Sequence, residues 1–303
     1  MVLLSKHEFE VIKAAILGSI LATMLLCLGL CFLVGGIKRT EQTFSHAISE
    51  TGSGLLLTAG VALAVPTVFG FGINYAETEL PKEELDVGYR TLNISRIISV
   101  LLIIAYVVYV FFQTHTHHGI YDAIFEYDEH RDEDGHKDKA KAKLTMTECI
   151  VSLVIAVTLV TFMATILVLQ IHPIITITNI SDPFMGLILV PLVEKFAEHL
   201  TAIDEAYDNQ MNFALSHILG ATLQTALFNG PLTVIVGWGL DRGMDLNFAI
   251  FDLVMLFLSI LTVGRFLQDQ KSNYLEGFLL VVLYIAIAVS AFHYPNPPSA
   301  AEH

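Results

Sequence analysis

Charge is scarce in this chain of 303 residues: 15% are Asp, Glu, Lys or Arg, against 54% hydrophobic, and the mean hydropathy is +0.64. That balance excludes an ordinary water-soluble domain, where charged residues make up roughly a quarter. Positive charge is scarcer still, with 16 Lys and Arg against 30 Asp and Glu, and no nucleic-acid partner is expected. Cysteine is limited to Cys27, Cys31 and Cys149, which lie in or beside apolar segments. They form neither an extracellular disulfide framework nor a metal-ligand spacing, so they read as packing residues. No signal peptide is expected at the start, because Met1–Lys13 is mixed in character and the first apolar run is long enough to be a span itself. No catalytic residues and no cofactor are expected, and the chain does not read as an enzyme.

What is present is apolar sequence in long windows. About 20 residues suffice to cross a hydrocarbon core, and charge-free windows run over Ala14–Ile37, Thr51–Ala76, Ile97–Tyr121 and Cys149–Ser181. Four more spans are expected at Pro183–Glu205, Met211–Leu240, Leu246–Gly264 and Asn273–Phe292, giving about eight transmembrane helices in an all-α membrane protein embedded in the lipid bilayer. Negative charge concentrates in Tyr121–Glu148, where Glu126, Asp128, Glu129, Asp132, Glu133, Asp134 and Asp138 accompany Lys137, Lys139, Lys141 and Lys143. Lys and Arg on the side of both termini number six, and nine lie on the connector side, which places the acidic connector in the cytosol by the positive-inside rule.

The first span repeats. Ile16-Leu-Gly-Ser-Ile-Leu-Ala-Thr-Met-Leu25 laid over Ile218-Leu-Gly-Ala-Thr-Leu-Gln-Thr-Ala-Leu227 matches at Ile16, Leu17, Gly18, Leu21, Thr23 and Leu25, at a constant offset of 202. A loop echo follows in Gln42-Thr-Phe44 and Leu246-Asn-Phe248. An odd number of crossings separates the copies, so they enter the membrane from opposite sides, as in transporters built from inverted repeats. The expected organisation is an incomplete first repeat of three helices at 1–113, the connector at 114–147, a five-helix second repeat at 148–294 and a tail at 295–303. The counterpart of the acidic helix that precedes the second copy has no room in residues 1–13, so the N-terminus is expected to be truncated.

That acidic helix holds the most expensive residues in the chain. A charged side chain at mid-bilayer costs roughly 2.5–3.5 kcal/mol even on lenient scales, so such groups usually line an ion or proton path. Glu194, Glu198, Thr201 and Glu205 recur at i, i+4, i+7 and i+11, a column of oxygens suited to a hard cation, and His199 adjoins Glu198. The bland alternative is a set of helix-stabilising pairs with Lys195 and His199. On the repeated span Gly220, Thr222 and Gln224 precede Asn229-Gly-Pro231, where backbone carbonyls can open toward a cavity, with Gly18 and Ser19 at the matching places. Small residues there serve close helix packing equally well. Asp252 lies inside an apolar run and calls for a polar partner, whereas Glu276 reads as an interfacial helix-start acid. His115, His117 and His118 form a His-rich patch more consistent with a solvated loop than with a metal site, and the sequons at Asn93 and Asn179 abut spans.

Four ordered segments resemble the vacuolar-type calcium/proton exchangers of the cation/calcium exchanger superfamily, especially fungal ones. They are Met185-Gly-Leu-Ile-Leu-Val-Pro191 leading into Ala197-Glu-His-Leu-Thr-Ala202; Gly220-Ala-Thr-Leu-Gln-Thr-Ala-Leu-Phe228 with Gly237-Trp238; Leu246-Asn-Phe248 with Asp252; and Asp269-Gln-Lys-Ser-Asn-Tyr-Leu-Glu-Gly277. The resemblance implies two inverted five-helix repeats and a calcium site with an acidic helix from each. It also implies that Glu198 binds calcium as the metal ligand and that His199 assists gating or proton coupling. Two departures stand out. The family's Gly-Asn-Ala-Ala-Glu-His reads Glu194-Lys-Phe-Ala-Glu-His199 here, which sets an ammonium, Lys195, beside the carboxylate, and the first acidic motif is absent. The expected function is calcium/proton antiport into the vacuole across the vacuolar or another endomembrane, with calcium and protons as cargo and neutral oxygens from Ser19, Thr222 and Gln224. A homologous chain is one source of the missing helices. The competing expectation is a non-transporting degenerate exchanger, an associating subunit or a membrane anchor displaying an acidic calcium-sensitive element.

Overall fold

The computed structural model describes residues 9–76, 87–132, 144–178 and 180–294. Lys6, Lys82, the 133–143 part of the acidic connector, the sequon residue Asn179 and the 295–303 tail lie outside the described residues. Apolar segments in lipid must satisfy their backbone internally, and helices do so. The helices are α1 Phe9–Lys38, α2 His46–Ala76, α3 Val87–Thr116, α4 His118–Glu129, α5 Met146–Thr178, α6 Val190–Tyr207, α7 Met211–Gly239, α8 Ile250–Phe266 and α9 Tyr274–Phe292. Among the described residues six of them, α1, α2, α3, α5, α7 and α9, are long and apolar enough to cross a membrane. Against the eight spans expected, α6 falls short because of its five acidic and lysine residues at 194, 195, 198, 204 and 205, and α8 because it has 17 residues.

α1 and α7 are the two most buried of these helices, and each carries a π-helical stretch, Ala22–Cys27 in α1 and Thr225–Asn229 in α7. The two stretches coincide at the 202-residue offset of the repeated sequence. The extra residue in a π turn frees backbone from the i→i−4 ladder, and such turns often mark functional sites. A third π stretch, Met185–Leu189, leads into α6.

Glycine sets how α6 meets α1. A methyl at Gly18 would run into the Leu187 backbone, and one at Gly186 would come 2.7 Å from the Ala14 methyl. The two segments therefore touch backbone to backbone, the close approach that small residues allow in membranes. Gly29 and Gly277 do the same between α1 and α9, where a methyl on Gly29 would lie 2.9 Å from the Gly277 carbonyl oxygen.

At the connector end of the bundle β1 Gln42–Thr43 pairs antiparallel with β2 Lys271–Ser272, in the register Gln42 opposite Ser272. The amphipathic connector helix α4 docks there through Asp128, which is fully buried. Its carboxylate accepts from Asn212 N at 2.7 Å, Asn212 Nδ2 at 2.8 Å and Phe213 N at 3.2 Å. Those backbone amides belong to the first turn of α7, which has no cap of its own, so Asp128 caps it across 84 residues of sequence. Burial pushes the Asp128 carboxyl above its ordinary range, outweighing the hydrogen bonds from Asn212 and Phe213 that favour the anion. Gln42 donates to the Ala206 carbonyl at 2.9 Å and Arg131 to Asn209 Oδ1 at 3.2 Å, which ties the α6–α7 turn to the first half of the chain.

Candidate ion-binding site

α6 runs between α1 and α7. Its buried edge passes through Pro191, Lys195, His199, Ala202 and Ala206, spaced three and four apart. Glu198 therefore stands at the border of that edge, and Glu194 and Thr201 face outward. The expected four-oxygen column does not converge: Thr201 donates back to the Ala197 carbonyl at 3.2 Å, while Glu198 and Glu205 approach one shared neighbour, His217 of α7.

The charged centre consists of four side chains. Lys195 Nζ lies 2.8 Å from Glu198 Oε2. His217 Nε2 is 3.9 Å from Glu198 Oε1, and His217 Nδ1 is 3.6 Å from Glu205 Oε2, contacts of Coulombic range and too long for hydrogen bonds. The Lys195 side chain is 11% exposed and that of Glu198 32% exposed, so the ammonium is enclosed while the carboxylate looks into open space. Gly220 and Gln224 lie one and two turns beyond His217 on the same face of α7. A methyl on Gly220 would meet nothing within 4 Å, and Gln224 is exposed, so this face of α7 is open.

His199 points the other way, into α1. Its Nε2 lies 3.4 Å from Thr23 Oγ1, and Thr23 donates its only hydroxyl hydrogen to the Ser19 carbonyl at 2.8 Å. Thr23 can then only accept from the ring, so hydrogen-bond accounting puts the proton on His199 Nε2 in this arrangement. Ser19 Oγ beside it is buried without a hydrogen-bond partner. Gly18 holds the contact with Leu187 described above, and Thr222 is buried with its hydroxyl spent on the Ile218 carbonyl at 2.7 Å. Of the expected residues, Glu198 and Lys195 belong to the centre, His199 turns from it to Thr23 of α1, Gly220 and Gln224 lie on an open face of α7, and Glu194 and Thr222 point elsewhere.

Asp252 is buried, yet it sits in the first turn of α8, where the helix dipole favours an acid. That is the end at which Lys13 bonds both Glu10 and Asp245 at 2.8 Å, more than two turns of α1 from the Thr23–His199 contact. Glu276 likewise occupies a first turn, whose amides at 275 and 276 are capped by Asn273 Oδ1 at 3.0 Å. His115 and His117 stack on Phe111 and Phe112 at 4.9 and 3.9 Å. Among the described residues no group of three or more His, Cys, Asp or Glu side chains is placed to hold a metal ion.

Sequence reasoning passed over His217 and Thr23. Thr23 carried a signal, its identity with Thr225 at the repeat offset, and His217 stands one turn before Gly220 as an imidazole inside an apolar span.

The sodium/calcium exchanger protein family matches residues 1–115 and 149–292, the gap between the blocks falling on the connector. A vacuolar cation/proton exchanger 2 of Oryza sativa is 33% identical over 299 residues, covering 98% of this chain and 66% of that protein. A vacuolar calcium ion transporter of Schizosaccharomyces pombe is 30% identical over 97% of this chain and 67% of its own length. The chain thus spans about two thirds of these relatives. Among solved structures, native YfkE superposes with a TM-score of 0.76 at 28% identity, covering 97% of this chain and 78% of that one, and a second structure of the same protein is described as a Ca2+/H+ antiporter. The chain belongs to the sodium/calcium exchanger protein family.

Proposed function

We propose that this chain works as a calcium/proton antiporter of the vacuolar membrane, moving calcium into the vacuole as protons leave, with Glu198 taking the cation or the proton in turn. The observation that carries the reading is the Glu198 carboxylate, set at the border of the buried edge of α6, partly open and flanked by ionisable neighbours. A carboxylate in that setting can hold a divalent cation through its oxygens or be neutralised by a proton, and the two states exclude each other. His199, bonded to Thr23 of the other repeated span, links the motion of α6 to α1. Vacuolar cation/proton exchange in the rice relative, vacuolar calcium transport in the fission-yeast one and Ca2+/H+ antiport in YfkE support it. No observation supports a homologous partner chain.

Calcium uptake into vesicles under an imposed pH gradient tests the reading on the chain alone. Uptake above empty vesicles is expected, falling at least about tenfold in Glu198→Gln, the scale of losing a charge-assisted ligand. Uptake no greater than in empty vesicles overturns it. A second reading, a non-transporting exchanger relative, is favoured by one observation, the 2.8 Å Lys195–Glu198 ion pair that occupies the carboxylate, and it predicts that null result.

A further inference from the structure

Among the described residues two lysines are buried, and they are partnered differently. Lys13 has two carboxylates, Glu10 and Asp245, each at 2.8 Å. Lys195 has one, Glu198, whose other oxygen faces His217. Lys13 is matched in excess and reads as a structural tie at the end of the bundle. Among the described residues Lys195 is ion-paired with one carboxylate, which is itself the candidate cargo ligand.

We propose that the Lys195 ammonium is the resident counter-ion of Glu198, which a transported cation must displace, so that Lys195 sets how tightly the site holds its cargo. The inference rests on the antiporter reading of Glu198. Three features carry it. The ammonium lies at i−3 from Glu198 on the same helix, so it is tethered within reach and competes at high effective concentration. It neutralises a carboxylate that would otherwise stand uncompensated in a membrane interior, which keeps the empty site inexpensive. Its four-carbon stem is flexible and its charge compact, so it can withdraw when a divalent ion takes the oxygens, as the rigid guanidinium of an arginine could not without breaking a bidentate pair. Lys195 is the enclosed member of the pair and Glu198 the more open one, so the carboxylate is the group a cation can reach first.

Titrating calcium chloride into the full chain in lipid nanodiscs, followed calorimetrically, tests this with Lys195→Met, Lys195→Arg and Glu198→Gln. Removal of the competing charge in Lys195→Met should tighten calcium binding at least about tenfold, Lys195→Arg should leave it no tighter than the parent, and Glu198→Gln should abolish it. A merely structural lysine would give the opposite sign for the Met variant. Calcium binding by the parent with unchanged or weaker binding by Lys195→Met overturns the counter-ion role and leaves the antiporter reading standing. Absence of calcium binding from every variant, or binding by Glu198→Gln equal to the parent's, overturns both. Should the Met variant fail to fold, the unmodified chain serves: calcium should raise the labelling of Lys195 by an amine-reactive reagent, read by peptide mass spectrometry, and unchanged or lowered labelling overturns the displacement.

Discussion

α1 and α5 are almost equally apolar, yet 72% of the most apolar stretch of α1 is buried inside the protein and none of that of α5 is. Hydropathy cannot be what separates them. In lipid an apolar side chain gains little by moving from acyl chains to protein, and association follows close packing instead. α1 has Gly18, Gly29, Gly35 and Gly36, and backbone or side-chain atoms of the rest of the bundle stand where a methyl would be at each. α5 has no glycine from Met146 to Thr178. Its threonines Thr158, Thr161 and Thr165 spend their hydroxyls on their own helix at 2.7–2.8 Å, leaving a surface that asks nothing of a neighbour. The small-residue pattern, more than the apolar pattern, sorts inside from outside.

The sharpest way to break the comparison is Gly18→Val. Overpacking typically costs 1–3 kcal/mol where side chains can adjust, but here the opposing atoms are the Leu187 backbone. A loss of about 3 kcal/mol or more is expected, seen as a large fall in melting temperature or in monodisperse yield in detergent. The displaced π stretch before α6 should also disturb calcium uptake. Retention of the parental melting temperature would show that the α1–α6 approach is looser than glycine implies.

The same contrast explains how far the sequence could be read. The all-α membrane fold was legible because hydropathy and length alone define spans, and the 202-residue repeat because Gly and Thr recur with the apolar residues. Glu198 and His199 stood out because charge inside apolar sequence is costly. What periodicity could not tell was which edge of α6 faces inward. Lys195 and His199 are on it and Glu194 is not, a choice made by Gly18 and Gly186 far from the acids. The start of α8 was also misjudged: the span expected from Leu246 becomes helix only at Ile250, so Asp252 falls in a first turn rather than mid-span. Long-range partners, His217 for Glu198 and Asp128 for α7, leave no local trace.

A second, smaller contrast lies at the helix starts. α5 caps itself with Thr145 and Glu148, whose side chains bond each other's backbone amides in a local box. α7 depends on Asp128 from the connector. Asp128→Ala should therefore cost about 2 kcal/mol, a lost cap plus unsatisfied amides, whereas Asp128→Asn, which can still accept, should cost less. The pH dependence separates the two further. Because burial raises the carboxyl in the folded state, folding favours its protonated form. That contribution is complete below the ordinary carboxylate range and is lost as pH rises through the raised value. Melting curves across that acid window should slope downward with rising pH in the parent and flatten in Asp128→Asn; equal slopes would remove Asp128 from the pH response.

The smallest effect belongs to α5. Val157 is 57% exposed on a helix that touches little else, so Val157→Ala exchanges one lipid-facing side chain for a smaller one. Substitutions at such surfaces stay within about 0.5 kcal/mol, and no resolvable change in melting temperature or calcium uptake is expected. The value of the experiment lies in its pairing with Gly18→Val, since both change side-chain volume by a few carbon atoms in equally apolar helices. If packing through glycine decides burial, the response should be large in α1 and absent in α5. A substantial loss at Val157 would mean that the exposed face of α5 is covered in the membrane, and the contrast between the two helices would then describe one chain rather than its working state.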